Sequence, residues 1–174
     1  MILACYAGTG KTTAAKLFPE EVLDMEIVPY KYVFPGDYDL RSYDEAAKAQ
    51  TDFPLRRNYP SAYTDDVQKN ALSYRFVLIP TDARVLSELE RRGEEFTVII
   101  PDRRDERMRE IYEERYRARG NSENFLDVFI GGWYFMLKMV ERHPGTGIRY
   151  LAENEYVSDV IRECISKAEE GSQK

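Results

Sequence analysis

The sequence predicts an α/β fold in which a mainly parallel sheet of five strands carries helices on both faces. Two features of the pattern support this prediction. Short apolar runs alternate along the chain with longer segments whose apolar residues recur at helical spacing. The chain also starts with an apolar run, a turn that holds two glycines and a helix, which is how a βαβ unit begins. We expect its 174 residues to form a single domain over positions 1–174.

The first half of the chain is expected to contribute two strands before a long irregular stretch. The apolar run 1–4 predicts the first strand, and residues 11–18 predict a helix that a proline ends. Residues 21–28 predict the second strand. The stretch that follows is rich in tyrosine and proline, and we expect helices at 44–50 and 62–73 within it.

The second half of the chain continues the alternation. Apolar runs predict strands at 75–80, 95–100 and 148–152. Helices are expected at 82–92, 104–119, 122–142 and 157–168. Gly131 and Gly132 lie inside the third of these helices, where glycine weakens helical structure, so we expect a bend there.

The strongest functional motif directly follows the first strand and reads Cys5-Tyr6-Ala7-Gly8-Thr9-Gly10-Lys11-Thr12-Thr13. Strand, glycine turn, lysine and hydroxyls are the layout of a phosphate-binding P-loop, whose pattern is G-x-x-x-x-G-K-S/T. Backbone N–H groups in such a turn wrap a triphosphate, and a helix N-terminus adds a favourable dipole. Cys5 stands where the pattern has its first glycine. We expect residues 7–13, which are Ala7, Gly8, Thr9, Gly10, Lys11, Thr12 and Thr13, to bind ATP or another nucleoside triphosphate.

A Mg²⁺ ion is expected beside this motif, because Thr12 supplies the hydroxyl that P-loops place on the metal. Asp24, near the end of the second strand, is the favoured carboxylate, and a solvated strand end is the alternative. After the third strand the chain reads Pro80-Thr81-Asp82, in which Thr81 or Asp82 caps the next helix or serves the metal.

The charged segment 103–119 contains arginines that differ in the direction they are expected to face. At about 100° per residue, Arg104, Arg115 and Arg119 share a stripe with Met108 and Ile111. An inward arginine needs an anion, which is either an internal carboxylate or a transferring phosphoryl group. With Lys11, the candidate catalytic residues are therefore Arg115, Arg119, Arg104 and, at the strand end, Arg103.

The segment 29–73 combines many tyrosines with Arg41, Arg56 and Arg57. A phosphorylated acceptor needs a flat apolar surface and a cation, and this segment has both. Asp24 and these three arginines are the candidate acceptor-binding residues. The alternative is that the tyrosines cover a small subdomain with little aliphatic core.

Three stretches make the chain resemble the nucleoside monophosphate kinases of the P-loop, adenylate-kinase-like group, particularly small kinase-like proteins of phages and bacteria. They are residues 7–13, residues 77–82 before a helix that ends Arg91-Arg92-Gly93, and residues 100–104 with 114–116 and 119–122. The resemblance implies a three-layer P-loop NTPase fold with strand order 2-3-1-4-5. It also implies an acceptor-binding insert at 29–73 and a short lid at 101–122.

Composition narrows the classes of function. The net charge of -6 makes nucleic-acid binding unlikely, although arginine is locally concentrated. No apolar run is long enough to span a membrane, and two cysteines are too few for a disulfide framework, so we expect a cytoplasmic protein.

Together these features predict an ATP- and Mg²⁺-dependent phosphotransferase whose acceptor is a small molecule, a nucleoside or deoxynucleoside monophosphate. Two alternatives stay open. One is a kinase of a non-nucleotide metabolite, and the other is a nucleotide-binding module with little or no turnover.

Overall fold

A computed structural model describes residues 1–36 and 53–171 and contains one sheet of five strands. The strands are β1 (Ile2–Cys5), β2 (Val22–Asp24), β3 (Phe76–Pro80), β4 (Phe96–Pro101) and β5 (Gly147–Leu151). Their order is β2-β3-β1-β4-β5, and every neighbouring pair is parallel. The α/β class and the strand order are therefore confirmed.

Strand β1 lies at the centre of the sheet and is buried along its whole length. Its side chains alternate between two cores, with Ile2 and Ala4 in one and Leu3 and Cys5 in the other. A parallel strand that is covered on both faces needs apolar residues at every position, which explains the unbroken apolar run in the sequence.

Helices cover both faces of this sheet. Within the described residues they are α1 (Lys11–Leu17), α2 (Val28–Lys31), α3 (Ser61–Ala71), α4 (Ala83–Arg92), α5 (Glu106–Ala118), α6 (Glu123–Leu126), α7 (Trp133–Val140) and α8 (Val157–Gly171). Side chains of α1 and α8 share a core with Leu3 and Cys5, whereas those of α3, α4, α5 and α7 pack on the opposite face. None of the described helices combines the length and apolarity needed to cross a lipid bilayer.

The predicted end of the second strand is wrong. The second strand was expected to reach residue 28, but β2 ends at Asp24 and Val28 begins α2, with Pro29 in its first turn. Proline is favoured in the first turn of a helix. Strand β2 lies at the edge of the sheet and pairs only with β3, so it has hydrogen-bond partners on one side alone. The helix expected at 44–50 lies outside the described residues.

The charged helix begins later than expected, at Glu106 instead of residue 104. The carboxylate of Asp105 accepts a hydrogen bond from the backbone N–H of Arg107, which makes Asp105 the N-cap. Arg104 therefore precedes the helix and does not lie on its stripe with Arg115.

The bend expected at Gly131 and Gly132 is confirmed as a break in the helix. A π-helical turn, Asp127–Gly131, separates α6 from α7, and Gly132 is the residue at the junction. A Cβ on Gly132 would lie 2.5 Å from the carbonyl oxygen of Val128, whereas one on Gly131 would meet nothing within 4 Å. Only Gly132 therefore has to be glycine, because the backbone of Val128 leaves no room for a side chain there.

These neighbouring glycines should respond oppositely to alanine. Gly131→Ala should raise the free energy of unfolding by about 0.5–1 kcal/mol, because alanine loses less backbone entropy in a helical segment. Gly132→Ala should lower it by about 1–3 kcal/mol, because its methyl group would overlap a backbone carbonyl. Chemical denaturation of the two variants measures both values, and equal effects would contradict the geometry of the turn.

Candidate functional site

The residues between β1 and α1 form a tight turn, which we call the glycine turn (residues 6–10). Gly8 has φ 82° and Gly10 has φ 92°, and Gly10 is the N-cap of α1. Side chains other than glycine rarely adopt such backbone angles, so both positions require glycine. Thr9 is fully buried, and its N–H and hydroxyl both donate to the carbonyl oxygen of Tyr6.

The backbone N–H groups that follow Ala7 are largely open. Across the described residues, no backbone carbonyl or side chain accepts from the N–H groups of Gly8, Gly10, Lys11, Thr12 or Thr13. A cluster of backbone donors at a turn that leads into a helix is suited to bind an anion. The turn therefore has the donors that a phosphate chain needs.

Cys5 occupies the position at which the P-loop pattern has its first glycine, and the structure accommodates it without strain. Cys5 is the last residue of β1, and its side chain is fully buried in the core beneath α1 and α8. Its thiol donates a weak hydrogen bond to the carbonyl oxygen of Leu3 at 3.4 Å, and burial raises the pKa of the thiol to about 12. An extended strand residue needs no glycine, so this departure leaves the turn intact.

The two residues expected to hold a metal lie in contact. The hydroxyl of Thr12 donates to Oδ2 of Asp24 at 2.9 Å, and Oδ1 of Asp24 is buried without a hydrogen-bond partner in the described part of the chain. Because the hydroxyl proton points to Asp24, the oxygen lone pairs of Thr12 stay free for a cation. The described residues contain no group of three or more His, Cys, Asp or Glu side chains that could hold a metal. Mg²⁺ fits this sparse oxygen set, since it is usually held by one or two protein groups together with phosphates and water.

A cavity of about 570 Å³ lies at the carboxyl edge of the sheet, where ligands of open α/β sheets bind. The glycine turn and α1 contribute Ala7 and Lys11 to its lining. Tyr6 of the same turn also lines it, and the rest of the lining comes from around α2, from the end of β3 and from α6 to α7: Ile27, Lys31, Tyr32, Pro80, Thr81, Asp82, Ala83, Asn124, Phe125, Val128, Phe129, Met136, Met139 and Val140. The cavity is mostly apolar and carries two lysines.

Lys31 is held in the cavity wall by an ion pair. Its Nζ lies 2.7 Å from Oδ2 of Asp82, and Oδ1 of the same carboxylate caps α4 by accepting from the N–H of Arg84. Burial raises the pKa of Asp82, but the hydrogen bond and charge of Lys31 outweigh it and hold the pKa below its usual range. Asp82 therefore both caps a helix and orients a cation, which leaves neither of its oxygens free.

Sequence reasoning missed Lys31 as a site residue. The available signal was a lysine shortly after the second strand, on the edge of the sheet where the glycine turn also lies. That signal is weak, because Lys31 is oriented by Asp82, which lies 51 positions away in the sequence.

Aromatic rings form one wall of the cavity. Phe125 and Phe129 are stacked, with ring centroids 4.3 Å apart and planes inclined by 22°. The ring of Tyr6 meets Phe129 edge to face at 5.7 Å. These residues provide a flat apolar surface on the same cavity as Lys11 and Lys31.

Two of the candidate arginines are paired with carboxylates away from the cavity. Nε of Arg103 lies 2.8 Å from Glu141, and Arg104 binds Asp102 at 2.7 Å. Neither arginine lines the cavity. Arg104 is exposed, with 67 % of its side chain accessible, so it is not the inward arginine that was expected, and Arg103 is half-buried against Glu141.

Arg115 is the candidate arginine that lies next to the glycine turn. Its guanidinium is held between the rings of Tyr112 and Tyr156, at 4.8 and 4.4 Å from their centroids. Nη2 donates to the carbonyl oxygen of Glu153 at 2.6 Å, while Nη1 is buried with no acceptor in the described part of the chain. Tyr156 in turn packs on Gly10, since a Cβ there would lie 3.2 Å from its ring. Arg119 is exposed at the C-cap of α5.

Of the arginines expected to bind the acceptor, Arg56 and Arg57 do not line the cavity. Nε of Arg56 donates to the carbonyl oxygen of Tyr32 at 2.9 Å, and Arg57 is exposed. Arg41 lies outside the described residues. Tyr63, also in the expected acceptor-binding segment, donates to the carbonyl oxygen of Met25 at 2.8 Å from a fully buried position. Arg56 and Tyr63 therefore support the local structure, whereas Arg57 faces solvent.

No family model matches this chain, and no curated protein matches it. What the site does is therefore inferred from its own geometry.

The ion pair of Asp82 with Lys31 predicts how stability depends on pH. Asp82→Asn should lower the free energy of unfolding by about 1–3 kcal/mol at neutral pH, because it leaves a half-buried ammonium group without its carboxylate. The folded pKa of Asp82 lies below the ordinary value of 3.8, so its stabilisation is present above that pH and is lost as the pH falls through the folded pKa. The difference between variant and wild type should therefore narrow in acid.

Denaturation curves over a pH series measure this difference. Glu113→Gln is the matched control, because Glu113 pairs with Arg117 on the surface and should cost less than about 0.5 kcal/mol. A gap that persists unchanged in strong acid would contradict the assigned role of Asp82.

Proposed function

We propose that this protein is a P-loop phosphotransferase that uses ATP and Mg²⁺ and takes a nucleoside or deoxynucleoside monophosphate as its acceptor. The observation that carries the proposal is the composition of the cavity. Lys11, which opens α1 after the glycine turn, and Lys31, fixed by Asp82, line the same aromatic cavity of about 570 Å³. That combination suits two anionic groups and a flat apolar body.

The donor would bind through its phosphates. The open N–H groups of the glycine turn and of the first turn of α1 would receive the phosphate oxygens, and Lys11 would neutralise the terminal phosphates. Thr12, oriented by Asp24, would hold Mg²⁺, which supplies charge neutralisation between the phosphates when it is bound.

The acceptor would occupy the rest of the cavity. Its volume falls in the usual range for small-molecule sites, roughly 300–1,000 Å³. The stacked rings of Phe125 and Phe129 offer a surface for a base, and Lys31 offers a cation for a phosphate. We therefore assign the acceptor phosphate to Lys31 in preference to Arg56 or Arg57.

Phosphoryl transfer requires little covalent chemistry from the protein itself. A phosphate oxygen of the acceptor would attack the γ-phosphorus of ATP. The bond from that phosphorus to the bridging oxygen would break, and ADP would leave with the electron pair. An acceptor phosphate is already anionic, so no general base is required. Arg115 is the best placed arginine to stabilise the moving charge, with Arg119 as the second candidate, whereas Arg103 and Arg104 are assigned to structural ion pairs.

Two alternatives have an observation in their favour. The cavity offers few polar side chains that could read the edge of a base, which also suits an anionic metabolite without a base. The carboxylates on Arg103 and Arg104 and the full engagement of Asp82 reduce the groups available for catalysis, which suits a nucleotide-binding module with little turnover.

A phosphotransfer screen separates these readings. The protein should convert ATP to ADP in the presence of Mg²⁺ and one or a few of the nucleoside or deoxynucleoside monophosphates, measured by coupled detection of ADP. Transfer only to metabolites without a base would support the first alternative, a kinase of a non-nucleotide metabolite. Tight ATP binding without transfer to any acceptor would select the binding module.

Lys11→Ala should weaken ATP binding at least about 100-fold, because it removes the cation next to the glycine turn. Lys16→Ala is the matched control, since Lys16 is an exposed lysine of the same helix and should bind ATP as the wild type does. Isothermal titration calorimetry measures both affinities. Unchanged binding by Lys11→Ala would overturn the assignment of the donor site.

A further inference from the structure

A tyrosine of α5 makes a hydrogen bond to the glycine turn. The hydroxyl of Tyr116 donates to the carbonyl oxygen of Ala7 at 2.9 Å, across 109 positions of sequence. The rings of Tyr116 and Tyr112 also lie against Gly8, since a Cβ on that glycine would be 2.9 Å from the first and 3.3 Å from the second. Both rings are fully buried, so this contact belongs to the core and not to a surface side chain.

The geometry of the peptide bond gives this hydrogen bond a consequence for the N–H group beside it. The carbonyl of Ala7 and the N–H of Gly8 belong to one planar trans peptide unit and point in opposite directions. Holding the carbonyl toward α5 therefore directs the N–H of Gly8 away from α5, and that N–H has no acceptor in the described residues. Gly8, with φ 82°, is free to adopt several backbone conformations, so the orientation of this peptide unit needs an external restraint.

We infer that Tyr116 is a positioning residue for the donor phosphates: its hydroxyl fixes the peptide unit between Ala7 and Gly8 so that an N–H, and not a carbonyl oxygen, faces the anion. This inference rests on the proposed function, because it assigns a role within the donor site. A reversed peptide unit would present a carbonyl dipole of the wrong sign to a phosphate. Burial holds the pKa of Tyr116 well above its usual value, so the hydroxyl remains a donor over the working pH range.

Tyr116→Phe tests this role, because it removes the hydroxyl and keeps the ring on Gly8. Tyr112→Phe is the matched control. Tyr112 packs on the same glycine, but its buried hydroxyl makes no hydrogen bond to the glycine turn. Tyr116→Phe should weaken binding of ATP and of inorganic tripolyphosphate by about fivefold to tenfold, as expected for one lost hydrogen bond. Tyr112→Phe should stay within about twofold of the wild type.

A second measurement does not depend on a ligand. In the unliganded protein, the amide resonance of Gly8 in ¹⁵N-labelled samples should shift or broaden in Tyr116→Phe and stay unchanged in Tyr112→Phe. Thermal unfolding of both variants monitors the fold. If Tyr116 only stabilised the fold, Tyr116→Phe would lower the melting temperature. It would then cause neither a selective loss of phosphate binding nor a change confined to the Gly8 amide.

The outcomes separate this inference from the proposed function. If the wild type binds ATP in a manner that depends on Lys11 and Tyr116→Phe binds it equally well, the role of Tyr116 is overturned and the donor site stands. If the wild type binds neither ATP nor tripolyphosphate, the proposed function fails and the role of Tyr116 fails with it. Weaker binding of both probes together with a changed Gly8 amide supports the inference.

Discussion

The structure depends on how the carbonyl groups of the glycine turn are held. Hydrogen bonds reach the carbonyl oxygens of Tyr6, Ala7, Thr9 and Gly10, from Thr9, Tyr116, Val157 and Ala14 respectively. Each of these bonds directs a carbonyl oxygen into the protein, and the N–H groups of Gly8 and Gly10 have no acceptor in the described residues. Backbone donors that stay unpaired are costly unless water or a ligand satisfies them, so this polarity is a property that the fold has to maintain.

The elements that maintain it come from distant parts of the chain. Tyr116 belongs to α5, Val157 begins α8, and the turn itself follows the central strand β1. Arg115 connects α5 with the start of α8, because its guanidinium lies between the rings of Tyr112, in α5, and Tyr156, which directly precedes α8. The aromatic residues of α5 thus support the backbone of the glycine turn as well as the core.

Local sequence was sufficient for the parts of the structure that local interactions determine. The apolar run of β1, the glycines at positions 8 and 10 and the break at Gly132 each reflect a requirement of their own backbone, and each could be read from the sequence. The contact of Thr12 with Asp24 also follows from topology, since the end of β2 and the start of α1 lie on the same edge of a parallel sheet.

Other residues could not be placed in this way, because competing partners decide their positions. Arg104 was expected on the inner stripe of a helix, but the cap at Asp105 starts that helix later and Asp102 binds the arginine. Lys31 was overlooked because its importance comes from Asp82, 51 positions away. A cation is oriented by whichever carboxylate the fold brings near it, and periodicity along one segment contains no information on that partner.

Burial also limits how the segment expected to act as a lid can move. Met108, Tyr112 and Tyr116 of α5 are almost completely buried in the core, and each would be exposed if the helix lifted away. Exposing three such side chains would cost about 2 kcal/mol each, or roughly 6 kcal/mol in all, which is comparable to the whole stability of a typical domain. Opening of α5 as a rigid unit would therefore be too costly to accompany each cycle of the proposed reaction. Any adjustment over a bound donor is cheaper at the level of side chains, and Arg115 is the natural candidate because one of its amino groups is already buried without an acceptor in the described part of the chain.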